Sequence, residues 1–203
     1  MAAEEPKALR IEDGFPEDQR GRAARLFWDA FQGKLGKVMG PATKAVPFLE
    51  DVLNPDFAIS AIGPDGTLLG LAGYKTSNGA LVGGGLKELA AFYGWAGGFW
   101  RGMVLDSLER QPEPDCLLMD GIFVDPQSRG LGVGSALLDA VCGKAEMLGH
   151  ERVRLDVIDT NTRARALYER RGFQAVSTEE TGIFAYVFGF SSATRMEKHL
   201  QTA

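Results

Sequence analysis

Leu117-Leu118-Met119-Asp120-Gly121-Ile122-Phe123-Val124, then Asp125-Pro126-Gln127-Ser128, then Arg129-Gly130-Leu131-Gly132-Val133-Gly134-Ser135: this stretch decides the fold. The first part is an apolar run of strand length and the second is a turn. Beyond the third, Val133, Ala136, Leu137, Ala140, Val141 and Leu148 recur mostly at steps of three and four, one face of a helix. The reading is strand, glycine-rich loop, helix. Three glycines at alternate positions leave backbone N–H groups unshielded at the positive end of a helix dipole. Such an arrangement is an anion site, and above all a phosphate site.

Three kinds of phosphate loop compete. A nucleoside-triphosphate loop requires Gly-Lys-Ser/Thr, so that Lys reaches the phosphates and the hydroxyl holds magnesium. Here the loop ends Val133-Gly134-Ser135, without Lys. A dinucleotide loop requires Gly or Ala three residues after the second glycine. Counted from Gly130 and Gly132, that place holds Ser135, although Asp156 stands near the distance of a ribose-binding acid. The dinucleotide reading also requires several further βα units, and only about one strand–helix pair and a tail follow. A plain tight turn before a helix explains the glycines but leaves the next segment unexplained.

The third kind fits best. Arg129-x-x-Gly132-x-Gly134, after a strand ending Ile122-Phe123-Val124, resembles the acetyl-CoA pyrophosphate loop of the GCN5-related N-acetyltransferases, the GNAT family. Val153-Arg154-Leu155-Asp156-Val157 alternates like a strand. The following Asn161, with Tyr168 seven residues on and then Gly172-Phe173, resembles that family's second motif. Together the two motifs cover about residues 117–176.

The resemblance implies an α/β fold of α+β type. Its central sheet is mixed, mostly antiparallel, of about six to seven strands, and flanked by helices. A single domain would cover residues 1–203, with a helical insertion at about 76–110. The resemblance also implies acetyl-CoA as cosubstrate and acetyl transfer to a primary amine by direct attack within a ternary complex. Arg129, Gly130, Leu131, Gly132, Val133, Gly134 and Ser135 would take the pyrophosphate. Ile122, Phe123 and Val124 would offer their backbone to the pantetheine arm in the manner of strand addition. Gly121 sits where a bulge or close backbone approach is useful. The family splays the strands 117–124 and 153–157 apart here to admit the arm. A backbone N–H near Val124 would stabilise the oxyanion.

Asn161 resembles a CoA contact, and Tyr168 the proton donor to the leaving sulfur. A core tyrosine is the structural alternative. For the base, Asp156 sits where some members carry Glu, and Asp120 is the other candidate. Water relay of the proton is a further alternative, and an Asp156–Arg154 pairing competes with the catalytic role. Arg163 and Arg165 either reach the adenosine 3′-phosphate or are solvated. His150 and His199 read as surface residues.

Bulk properties narrow the class. The chain has 203 residues, 45% hydrophobic and 24% charged, as in globular proteins. A net charge of −5 disfavours nucleic-acid binding. Cys116 and Cys142 lack CxxC spacing, which suggests buried thiols, no disulfide framework and no metal site. The acidic start, Met1-Ala2-Ala3-Glu4-Glu5-Pro6, is unlike a secretion signal, so a cytoplasmic location is expected.

Along the chain, residues 1–7 read as a frayed tail and Ala8–Ile11 as a short strand. Pro16-Glu17-Asp18 opens a helix whose apolar face is Ala23, Leu26, Phe27, Ala30 and Phe31. Gly33, Gly36 and Gly40 predict a flexible connection over Lys34–Met39. By resemblance the loop at 32–42, with Lys34 and Lys37, binds the acceptor; a mobile linker is the alternative. A helix from Pro41 to Val52 follows, then strands Phe57–Ile62 and Leu68–Tyr74, joined by a Gly63-Pro64-Asp65-Gly66 hairpin.

The insertion holds an uncharged run, Leu89–Trp100, too short to span a bilayer, which needs about 20 residues. It packs on the domain or a homodimer partner, forms an acceptor lid, or touches a membrane. Gly172 should end the helix from Asn161 in the left-handed conformation. Phe173–Ser177 reads as a strand, Thr178–Phe188 as a hydrophobic loop and Phe190–Met196 as the last strand. The acceptor is a small-molecule or peptide amine. An acyl-CoA-binding sensor without turnover is the rival from another class.

Overall fold

The structure is a computed structural model that describes residues 9–108, 111–180, 182 and 189–200, without the side chains of Lys34, Ser107 and Leu108. In chain order the elements are β1 (Arg10–Asp13), α1 (Arg20–Met39), α2 (Ala42–Val52), β2 (Ala58–Ile62), β3 (Leu68–Thr76), β4 (Gly79–Ala80) and α3 (Leu86–Leu108). Then come β5 (Cys116–Val124), α4 (Val133–Met147), β6 (Arg152–Ile158), α5 (Thr162–Arg170), β7 (Gln174–Glu180) and β8 (Ser192–His199). The strands form one sheet in the order β1-β2-β3-β5-β6-β8-β7, with the short β4 paired to β3. Among the described residues only β5 and β6 run parallel. That rules out the repeated βα units of the dinucleotide reading and matches the mixed, mostly antiparallel sheet. Among the described residues the strands number eight, against the six to seven expected, with β4 the extra one.

Two cores lie on the two sheet faces. On one, α1 and α2 press Ala23, Phe27, Phe48 and Leu49 onto Leu68, Leu71 and Phe123. On the other, α4 and α5 cover Leu117, Met119 and Leu155 with Val133, Leu137, Val141 and Tyr168. Strand β5 serves both faces because a bulge reverses its alternation. Gly73 pairs with Gly121 but its neighbour Tyr74 pairs with Met119, which leaves Asp120 as the extra residue. Gly121 thus sits at the bulge, and a Cβ there would stand 3.2 Å from the Phe31 ring.

Several boundaries differ from the sequence reading. The flexible connection is instead the last turns of α1, which runs through Gly33 and Gly36 to Met39. Glycines in a helix cost roughly 1 kcal/mol each. Val38 and Met39, 1% and 4% exposed, recover this by burial. The Tyr93 hydroxyl of α3 adds a bond, donating to the Met39 carbonyl at 2.5 Å. The connection between α1 and α2 is therefore only Gly40 and Pro41, and the rest of 32–42 is helical.

The first strand lies two residues later than predicted, at Arg10–Asp13. Thr178–Glu180 belong to β7 rather than to a loop. Residues 181 and 183–188, the rest of that predicted loop, lie outside the described residues, as does the tail at 1–7. The final strand begins at Ser192 and not at Phe190. Within the predicted insertion at 76–110 the helix runs over Leu86–Leu108, and Gly94, at φ 72° and ψ 163°, breaks it into two helical segments.

Candidate active site

Strands β5 and β6 pair only from Cys116–Arg152 to Met119–Leu155. Past that point β5 stays on β3 as far as Val124–Gly70, and β6 stays on β8 as far as Ile158–Ala193. A gap opens between them, as the resemblance implies. The bulge at Asp120 bends β5 at the point of parting. From Gly121 to Val124, β5 has no strand partner on its β6 side among the described residues, so main-chain groups are left for an extended ligand.

A cleft of about 220 Å³ occupies this gap. Phe31 and Gly33 of α1, Asp120 to Phe123 of β5, Asp156 of β6, Asn161, Tyr168 of α5 and Gly189 line it. Met119 and Leu155 point into the α4–α5 core, so Asp120 and Asp156, next in register, face the α1 side. Tyr168 reaches the cleft from the opposite side. The structure therefore brings Ile122, Phe123, Asp120, Asp156, Asn161 and Tyr168 to one opening, as their sequence positions alone do not show.

The two carboxylates differ. Asp120 is exposed by surface area on β5, yet its carboxyl lies in the concave cleft with protein atoms crowded around it. That desolvation pushes its carboxyl up to about 6, against the opposing pull of Lys75. Asp156 Oδ2 lies 3.4 Å from Arg154, which also holds Glu113 at 2.8 Å. The pairing anticipated from strand alternation is present, but Arg154 is 8% exposed, so it is not a surface pair.

Tyr168 is 7% exposed and its ring packs 6.0 Å from that of Phe173. Burial pushes the phenol up to about 12, so it stays protonated at neutral pH. Its hydroxyl has no hydrogen-bond partner among the described residues. Asn161 is the N-cap of α5, its Oδ1 accepting from Ala164 N at 3.2 Å. Arg165 pairs with Glu169 at 2.9 Å across an exposed helix face, which favours the solvated alternative for this residue.

The predicted phosphate loop ends at the α4 N-terminus. Gly132 is the N-cap at φ 82° with no side-chain cap, and Gly130 lies at φ 87°. Nothing stands within 4 Å of a Cβ built on either residue. The first-turn N–H groups of α4 lack intrahelical acceptors, and no side chain caps them. The donor chemistry fits a diphosphate. Arg129, Leu131 and Gly132 are exposed, whereas the Val133 side chain is buried in the core, so Val133 has only backbone to offer a ligand. Arg22 steadies the approach to this loop, a role the sequence did not suggest. It donates to Leu68 O at 2.6 Å and to Asp125 Oδ2 at 2.6 Å. Asp125 in turn accepts from Gln127 N. Among the described residues no three His, Cys, Asp or Glu side chains gather to hold a metal.

Comparison with known proteins agrees with this geometry. The chain matches the Acetyltransferase (GNAT) family across residues 22–173, and it belongs to that family. It is 48% identical over 56 residues to a mycothiol acetyltransferase of Propionibacterium freudenreichii, a stretch covering 28% of this chain and 18% of that protein. It is 36% identical over 64 residues to the thialysine N-epsilon-acetyltransferase of Bos taurus, covering 32% of this chain and 38% of that protein. The matched stretches thus span well under half the length of these relatives. Among solved structures, a GCN5-related N-acetyltransferase from Kribbella flavida aligns with TM-score 0.63 at 18% identity, over 96% of this chain and 99% of that one. An N-acetyltransferase from Staphylococcus aureus Mu50 aligns with TM-score 0.64 at 13% identity, over 96% and 99%. These two likenesses are of fold.

Proposed function

We propose that this protein is an acetyl-CoA-dependent N-acetyltransferase that acts on a primary amine within a ternary complex. The observation that carries the reading is the uncapped first turn of α4, placed beside a gap between two parallel strands. Acetyl-CoA supplies a thioester whose carbonyl the amine attacks, with loss of the CoA thiolate.

The chain's own groups divide the remaining work. Main-chain groups of Gly121–Val124 hold an extended amide-bearing arm, and the amides at Gly132–Ser135 hold its diphosphate. A backbone N–H near Val124 faces the developing oxyanion. The Tyr168 phenol gives its proton to the departing sulfur and regains one from solvent. Asp120 accepts the proton that the amine must shed, because a carboxyl near 6 is a better base than an ordinary one and is still ionised at neutral pH. Asp156, tied to Arg154, lines the same cleft and leaves Asp120 as the base.

A CoA-release assay across alkyl amines, amino sugars and peptides tests the reading. Turnover with one amine class supports it. Binding of acetyl-CoA with no CoA released from any class favours the acyl-CoA sensor instead.

A further inference from the structure

The insertion folds into a helical hairpin. Gly94 breaks α3, and the two segments close on each other where a Cβ at Gly98 would stand 2.8 Å from Ala90 N. The first segment packs inward. Leu89 is buried, and Phe92 and Tyr93 set their rings 5.8 Å and 6.2 Å from that of Phe48 on α2. The second segment turns its large side chains outward. Trp95, Phe99 and Met103, spaced one helical turn apart, are 72%, 58% and 62% exposed, and Trp100 beside them is 42% exposed.

The ground around this stripe is cationic. Residues 33–48 and 92–103 carry Lys34, Lys37, Lys44 and Arg101 and no Asp or Glu, in a chain of net charge −5. The Lys44 ammonium lies 5.9 Å from the Tyr93 ring, and the Arg101 guanidinium covers the rings of Tyr93 and Trp100 at 4.3 Å and 4.5 Å. These contacts make the α1–α2 corner and the α3 hairpin one continuous surface. Carboxylates stand at its margins, at Asp29, Glu50, Asp51, Glu88 and Asp106.

We propose that this surface docks the protein on an anionic lipid bilayer. Exposed tryptophans with apolar neighbours suit the interface between headgroups and acyl chains, and flanking lysines suit acidic headgroups. A two-fold contact between copies fits less well, because it would gather the lysines of both copies at one seam. Docking would also present the cleft to the bilayer, since Lys37 stands about one helical turn beyond Gly33 of the cleft wall.

Sedimentation of the full chain with vesicles tests this. The protein should bind vesicles of equimolar phosphatidylglycerol and phosphatidylcholine and not those of phosphatidylcholine alone. Tryptophan emission should shift to the blue on binding, through Trp95 and Trp100. Joint Trp95→Ser and Phe99→Ser changes should weaken binding roughly tenfold or more. Lys44→Glu should weaken it at least about fivefold. Neither variant should alter acetyl-CoA affinity. Absence of binding to the anionic vesicles, or equal binding to both kinds, overturns the proposal. So does a dimer in solution that the Trp95→Ser, Phe99→Ser variant abolishes.

Discussion

Asp120 and Asp156 stand at equivalent steps of neighbouring strands, each one residue past Met119–Leu155, the last pair of the parallel ladder. They share a cleft but not an environment. Desolvation raises the Asp120 carboxyl to about 6, while Arg154 approaches Asp156 at 3.4 Å. The base must be ionised to act, so kcat/KM should fall as pH drops through about 6. Asp120→Asn should remove this limb and lower kcat/KM by roughly 10²-fold or more. A profile unchanged by Asp120→Asn would assign the base elsewhere.

The same shift bears on stability. A carboxyl raised from 3.8 to about 6 keeps its proton longer in the folded chain than in the unfolded one. Native stability is therefore lost as pH rises through that window. Thermal unfolding should show Asp120→Asn more stable than the parent above pH 6 and equal to it below about pH 4.

Tyr168→Phe keeps the ring against Phe173 and deletes only the hydroxyl. Turnover should fall by about 10²-fold, with acetyl-CoA affinity nearly unchanged. Steady-state kinetics beside equilibrium binding separates the two effects, and equal turnover would leave Tyr168 a packing residue.

Arg22 joins α1 to the turn before the α4 loop, through Leu68 O and Asp125. Removal of this half-exposed guanidinium in Arg22→Ala should cost about 1–2 kcal/mol in urea unfolding. It should also raise KM for acetyl-CoA more than it lowers kcat. A variant with native stability and native KM would show the tie to be idle.

Gly98 faces the backbone of Ala90, which has no flexible end to move aside. Gly98→Val should destabilise the chain by about 1–3 kcal/mol. Unchanged unfolding would mean the hairpin halves do not pack as described.

Most of the fold was legible where pattern and chemistry agree. The stretch 117–148 named its own strand, loop and helix, and Asn161 and Gly172 marked the ends of α5. The α1 extension was hidden because its support is distant in sequence: Tyr93, on the inserted helix, bonds Met39. Strand β7 was legible only as far as Ser177; Thr178–Glu180 carry no hydrophobic signal, since all seven residues of the strand are exposed, and pairing with β8 defines them. Of the site, the glycine loop and Tyr168 could be read from motifs. The difference between Asp120 and Asp156 could not, because it depends on the bulge, the cleft and Arg154. Arg22 carried no motif at all.

On this reading, bare amides at the start of α4 hold the diphosphate of acetyl-CoA. Titration calorimetry of acetyl-CoA into the native chain and into Gly132→Glu tests it most directly. Space at Gly132 is open, so a carboxylate there acts by charge and by strain at φ 82°. Saturable heat is expected with the native chain and none with Gly132→Glu, which should stay folded and unfold a few degrees lower because of its left-handed φ. Equal affinity in the two proteins, or no heat with the native one, would contradict it.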